Sequence, residues 1–341
     1  MNTADLSSLR PLSPREDVLV SVCFGDLSSE PATFDAIATL AGELESRYRF
    51  HEIIIIAEQR LQDQYLSLVN RIKNLRILTV RDGTAFYRKR VIAAEEAIGD
   101  VVLLTNGAEL AGIDAIEMIE RADDEQSAVL ATRRTRIASR SFGAPLVLLG
   151  RIAGFKVDVH DLQTHALPRT LLNQLLAHPD PDLSLRFPPD DARIPLVVLD
   201  VDPTITIERD TGLRRRLLLL QKLLVYMAPR MLMAVTLTSA LLAVLGFSFG
   251  LYVLGVWVVL EDVAPGWLTL SFSISLTAFF LGFSIMGLSL GLQQLISRTY
   301  RDSFDGVVSE ITQVDLFGQV ASDLNVDEER DHLNSQKSTA P

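Results

Sequence analysis

The chain has 341 residues, 48% of them apolar and 22% charged, with a mean hydropathy of +0.24. That is too apolar for an ordinary soluble enzyme and too charged for membrane helices alone, so a mixture of the two is expected. A single cysteine, Cys23, excludes an internal disulfide framework and a cysteine-rich zinc site, and the formal net charge of −11 argues against nucleic acid as a partner.

The polar opening MNTADLSSLRPLSPRED carries Arg10 and Arg15 with no apolar core behind them, so residues 1–16 read as a tail, neither signal peptide nor anchor. Strands and helices then alternate: VLVSVCF (18–24), a helix across TFDAIATLAGELESRY, EIIIIA (52–57), a helix over 60–73, LRILTV (75–80), a helix around 85–98 and DVVLLT (100–105). Near-continuous apolar strands imply a mostly parallel sheet covered on both faces. The expectation is a doubly wound α/β domain over 17–208 whose ligand site lies at the carboxyl ends of the strands. Its second part holds SAVLATR, the strand pattern LVVLDVDPTITI and, over 177–193, a Pro- and Asp-rich loop.

A basic juxtamembrane segment over 209–230, with Arg209, Arg214, Arg215, Arg216, Lys222 and Arg230, leads into two uncharged stretches, 231–260 and 267–296. Each exceeds the roughly 20 residues that cross a bilayer core as a helix. The connector 261–266 carries Glu261 and Asp262 but no Lys or Arg, whereas Arg298 and Arg301 follow the second stretch. The positive-inside bias then predicts a two-span hairpin in a bacterial-type inner or plasma membrane, both termini cytoplasmic, with Trp257 and Trp267 at the far headgroup layer. Gly246, Gly250, Gly282 and Gly287 read as packing or oligomer contacts, and the absence of charge within either span gives a channel or transporter role no ion site. Residues 297–341 read as a cytoplasmic helix and an acidic tail whose last residues, about fifteen, are expected to be disordered.

The order of several short segments resembles the membrane-anchored family 2 glycosyltransferases that load a sugar onto a polyprenyl phosphate, relatives of dolichol-phosphate mannose synthase and of bacterial undecaprenyl-phosphate glycosyltransferases. VLVSVCFGD resembles that family's first strand, HEIIIIAEQR its second and AAEEAIGDVVLL the approach to its metal-binding strand end. EMIE, ATRRTR, ERDTG, APR, PGW and LISRTYRD follow in the family's order, over about 17–303. The resemblance implies a GT-A fold, amphipathic helices at the membrane surface, a transmembrane hairpin and a homotetramer; a separate, non-enzymatic reading is a docking platform that recruits a catalytic paralogue into a mixed oligomer.

It also implies where the chemistry belongs. The family holds Mg²⁺ or Mn²⁺ with an Asp-x-Asp, because hard cations seek carboxylate oxygens. Here the strand end reads LLTNGAEL, which puts either Thr105 and Gly107 or Asn106 and Ala108 at the two acidic positions. A metal is implied only if Asn106 and Glu109 rebuild that pair. At the second strand Ala57, Glu58, Gln59 and Arg60 stand where the family's Asp-Asp-Gly-Ser grips the nucleotide, leaving Glu58, Asp82 and Asn106 as the nucleotide-binding candidates. In the acceptor loop Gln163 stands at the catalytic Asp and His165 at an Arg, with Asp161 two residues away. Asp161 and His160 read equally as solvated loop residues, and His165 as a base lacks an identified orienting partner.

Arg133, Arg134 and Arg136, with Arg209, Arg215 and Arg230, are the candidates for a lipid phosphate, since a guanidinium donates two parallel hydrogen bonds and keeps its charge. The same collar also serves as a plain anchor to anionic lipid. Two readings follow: a glycosyltransferase-like membrane protein with a decayed catalytic centre, kept as partner, scaffold or regulator in cell-envelope glycan or glycolipid assembly, or an active transferase with a non-standard, metal-independent site.

Overall fold

The computed structural model describes residues 14–27, 30–133, 140–158, 161–201, 213–260, 264–299 and 307–312. The chain separates into two compact units, one formed by Met1–Arg214 with Asp305–Pro341 and the other by Arg215–Phe304.

The first unit is built on strands β1 (Arg15–Phe24), β2 (Tyr48–Glu58), β3 (Leu75–Val80), β4 (Val101–Thr105), β5 (Ala128–Thr132), β6 (Asp161–Pro168), β7 (Leu196–Asp200) and β8 (Ser309–Thr312). They form one sheet in the order β7-β5-β6-β4-β1-β2-β3-β8. The pairs β1–β2, β1–β4, β2–β3 and β5–β7 are parallel, while β6 runs antiparallel to both neighbours and β8 antiparallel to β3. Successive residues of a strand face opposite sides of the sheet. Val20, Val22 and Phe24 accordingly join one core with α1 (Pro31–Arg47), α2 (Gln62–Val69) and α4 (Ala115–Glu125). Cys23, Ile54 and Leu104 join the other, with α3 (Phe86–Glu96) and α6 (Arg169–Leu176). Apolar residues at both parities along the strands are what demand helices on both faces. The doubly wound, mostly parallel sheet expected from the sequence is therefore the observed architecture.

The remaining helices of this unit are α5 (Arg140–Ala153) and the short α7 (Pro181–Ser184). The segment read as a Pro- and Asp-rich loop contains α7, capped by the Asp180 carboxylate on the Leu183 amide, and buries Leu183, Leu185 and Phe187. Two further differences concern strands. Residues 161–168, expected as an acceptor loop, form β6 inside the sheet, and part of the acidic tail returns as β8 at the edge of the sheet.

A buried carboxylate ties the centre of the sheet together. Glu52 is fully buried and its Oε1 accepts hydrogen bonds from Ser21 Oγ at 2.5 Å and the Ile98 amide at 2.8 Å. Its Oε2 accepts from Arg76 at 2.9 Å, and Arg76 also reaches Glu310 of β8 at 2.8 Å. Gly99 beside it must be glycine, because a Cβ there would stand 2.6 Å from the backbone nitrogen of Ser21.

The second unit consists of α8 (Leu213–Val259) and α9 (Trp267–Thr299). From Leu213 the basic segment and the first apolar stretch form one continuous helix through Pro229. Leu217–Val259 and Trp267–Ile296 are long and apolar enough to cross a membrane. Only 22% and 11% of their most apolar windows are buried, unlike core helices of a soluble domain. The helices pack antiparallel through small residues: a Cβ on Gly282 would meet Ala243 and Ser239 backbone at 2.7 Å, and one on Gly246 would meet the Phe279 nitrogen at 2.7 Å. Ser275 Oγ donates to the Gly246 carbonyl at 2.6 Å. Three of the four glycines expected at helix contacts thus sit within this pair, whereas Gly287 has nothing within 4 Å.

Candidate functional site

The parallel strands β1, β2, β3 and β4 end on one edge of the sheet, where Glu58, Asp82, Asn106 and Glu109 lie at or just after the strand ends. A βα connection enters its helix at that edge, so the first turns of α3 bring Arg88, Lys89 and Arg90 there.

Glu58, the last residue of β2, is not an idle acceptor. Lys89 Nζ lies 2.8 Å from its Oε1 and Arg60 lies 3.0 Å from its Oε2. The hydrogen bond from Lys89 holds the Glu58 carboxyl below the usual carboxylate range. Lys89 also stands 3.9 Å from Asp26. Asp82 accepts the Arg60 amide at 3.2 Å, so Arg60 joins the two nucleotide-binding candidates.

Asn106 follows β4 and precedes a 3-10 turn over Gly107–Gly112 that carries Glu109. Glu109 is buried and turned onto β6: both its oxygens accept the Gln163 amide at 3.0 Å, and Oε2 also accepts Thr164 Oγ1 at 2.7 Å. Thr164 in turn shares a 2.8 Å hydrogen bond with Thr105. Among the described residues no group of three or more His, Cys, Asp or Glu side chains is placed to hold a metal ion. Asn106 and Ala108 supply no carboxylate, and Glu109 is committed to β6. This donor set does not fit a divalent cation held in the Asp-x-Asp manner.

The three catalytic candidates all fall on β6. Asp161 opens the strand, in register with Thr132. Gln163 is buried and uses its amide on Glu109. His165 is paired in register with Leu104 and Leu130, inside the sheet, and its Nδ1 lies 3.0 Å from the Leu185 carbonyl. Burial, then the positive charges of Arg90 and Arg186, push the His165 pKa well below the usual histidine range, so the ring is neutral. Leu185 thus supplies the orienting partner that the sequence did not reveal, on a ring sealed from solvent rather than exposed in a loop.

Arg90 is the residue that the sequence reading missed. It is 2% exposed, and its stem lies across Gly25 at the end of β1, where a Cβ would stand 2.6 Å from its Cγ. Burial, with the nearby charge of Arg186, brings Arg90 down to about 10, still protonated at neutral pH. Arg186, also buried, donates to the Leu162 carbonyl at 2.8 Å and lies over the Phe187 ring at 4.9 Å. A sequence signal was present: three successive cations open a helix whose first turn carries no acid, against the preference set by the helix dipole.

Of the lipid-phosphate candidates, Arg133 follows β5, Arg215 lies on α8, and Arg230 is exposed on α8 with its guanidinium 5.9 Å from the Tyr226 ring. Arg134, Arg136 and Arg209, with His160, lie outside the described residues.

No protein-family model matches the chain. No curated protein matches it in sequence. Among solved structures it is similar to the glucosyl-3-phosphoglycerate synthase of Mycobacterium tuberculosis in complex with Mn²⁺ and UDP-glucose, at 13% identity and a TM-score of 0.41 over 62% of this chain and 78% of that one. It is also similar to the 4-diphosphocytidyl-2C-methyl-D-erythritol synthase of Anaerococcus prevotii, at 11% identity and a TM-score of 0.39 over 60% of this chain and 98% of that one. At overlaps of this extent the fold is defined by the chain's own sheet order and strand directions.

Proposed function

We propose that this chain is a membrane-anchored, glycosyltransferase-like protein of cell-envelope glycan or glycolipid assembly in which metal-dependent sugar transfer has been lost, leaving a partner, scaffold or regulatory role. The observation that carries this reading is the commitment of the acids around the strand ends. Glu109 bonds to Gln163 and Thr164, Glu58 pairs with Lys89 and Arg60, and the positions of the resemblance's metal-binding pair hold either Thr105 and Gly107 or Asn106 and Ala108. Neutralising a leaving diphosphate through a metal needs carboxylates that hold the cation, and the strand end after β4 offers only Glu109, which is bonded to β6.

The anchor is the pair α8 and α9. One compact unit takes up the chain both before Arg214 and after Asp305. The helical pair therefore leaves and re-enters the same body, which supports two crossings with both ends on one side. The excess of Lys and Arg at those ends favours the cytoplasmic side. Arg133, Arg134 and Arg136, together with Arg209, Arg215 and Arg230, are the groups proposed to meet a lipid phosphate. A homo-oligomer or a mixed oligomer with a catalytic relative would present them as a set.

A second reading, active transfer from a nucleotide sugar to a polyprenyl phosphate without metal, is favoured by the buried cations Lys89, Arg90 and Arg186 at this end of the sheet. The test is transfer of radiolabelled sugar from UDP- and GDP-sugars to undecaprenyl phosphate by the purified full chain in detergent. The first reading expects no product above a protein-free control with Mn²⁺. Product formation in EDTA that is lost in Arg90→Met would overturn it in favour of the second.

A further inference from the structure

We infer that the chain holds a small oxyanion of the phosphate class on Arg90, beneath the loop that follows β1. Among the described residues neither Nε nor either terminal nitrogen of Arg90 has a hydrogen-bond partner, and each of these atoms is buried. A guanidinium carries five N–H donors, and a buried charge left without acceptors is among the costliest arrangements a fold can keep. The two nearby carboxylates make their hydrogen bonds elsewhere, Glu109 to the backbone and hydroxyl of β6 and Glu58 through Oε1 to Lys89.

Two further features make the place favourable for an anion. Arg186 adds a second buried positive charge close enough to lower the pKa of Arg90, and it is fixed by the Leu162 carbonyl and the Phe187 ring. Helix α3, of 11 residues, directs the positive end of its dipole toward the same edge, and its first two turns add Arg88 and Lys89. Lys89 is answered by Glu58 and Arg88 by Glu95, so the group left for a bound oxyanion is Arg90 itself. The planar fork of a guanidinium matches two oxygens of a tetrahedral phosphate, which selects that class over a spherical halide.

This site stands whether or not sugar transfer survives, and the two claims fail separately: a chain that transfers nothing still binds the anion. The probes are inorganic phosphate, pyrophosphate and UDP at millimolar concentration, added to the full chain in detergent with EDTA and at matched ionic strength in chloride. Calorimetric unfolding of the α/β unit is the readout. At least one probe should raise the wild-type midpoint by about 5 °C. Arg90→Met should abolish that rise, because it removes the guanidinium that meets the anion. A rise with phosphate alone identifies a free anion, and one confined to UDP identifies the phosphates of a nucleotide. No rise with any probe, or an equal rise in Arg90→Met, overturns the inference. If Arg90→Met does not fold, Arg90→Lys is compared with wild type by ³¹P line broadening: the wild-type chain should broaden the phosphate signal and the variant should do so less. Equal broadening overturns the proposal.

Discussion

Glu52→Ala should lower the unfolding free energy of the α/β unit by about 3–5 kcal/mol, the cost of breaking one side of a buried ion pair. The physical reason is the number of groups that one carboxylate serves. Ser21 Oγ, the Ile98 amide and the Arg76 guanidinium all donate to it, and the side chain is fully buried. Removing it strands three donors at the junction of β1, β2 and the turn into β4, where Gly99 already permits no displacement toward Ser21. Arg76 also loses its inner anchor, which loosens its hold on Glu310 and therefore on β8. Glu52→Gln keeps an oxygen for Ser21 and Ile98 but loses the charge facing Arg76, so its cost should fall between wild type and Ala. Urea unfolding followed by far-UV circular dichroism measures both. A cost for Glu52→Ala below about 1 kcal/mol, the range of an exposed ion pair, would show that the network contributes little.

The second large effect is expected in the helical pair. Gly250 and Ser275 face one another such that a Cβ on Gly250 stands 3.7 Å from that of Ser275, close to the mean for a disulfide. In a Cys23→Ala background, Gly250→Cys with Ser275→Cys should oxidise readily to an intramolecular disulfide in native membranes. Adding Gly282→Leu should abolish that bond, because the new side chain begins 2.7 Å from the backbone of Ser239 and Ala243, which cannot yield without parting the helices. Gly287→Leu should leave the cross-link intact, since Gly287 has open space around it. Gel mobility with and without reductant reads the outcome. Cross-linking that survives Gly282→Leu undiminished would contradict the close contact described here.

Much of this architecture was legible in the residues, and the parts that were not have identifiable physical causes. The runs VLVSVCF and EIIIIA are apolar at both parities, which is why β1 and β2 read as central strands with helices on either face. Strand β6 was obscured because Gln163, Thr164 and His165 are polar. They are tolerated in the sheet only through Glu109, Thr105 and the Leu185 carbonyl, partners distant in sequence. Strand β8 was hidden in an acidic tail, since what pairs it is Arg76 and the free edge of β3, more than two hundred residues earlier. For the site, the loss of carboxylates at Asn106 and Ala108 was readable directly. That Glu109 bonds to β6 while the Arg90 nitrogens have no hydrogen-bond partner depends on which way side chains turn, which spacing along α3 or the 3-10 turn does not encode.

The measurement that bears most directly on the loss of a metal-dependent donor site is calorimetric titration of the full chain with UDP-glucose, once with Mn²⁺ and once with EDTA. Mn²⁺ should bring no gain in affinity, because Glu109 is held on β6 and no cluster of acids able to hold a metal lies among the described residues. A gain of about tenfold or more with Mn²⁺, worth about 1.4 kcal/mol, that disappears in Glu109→Ala would contradict it.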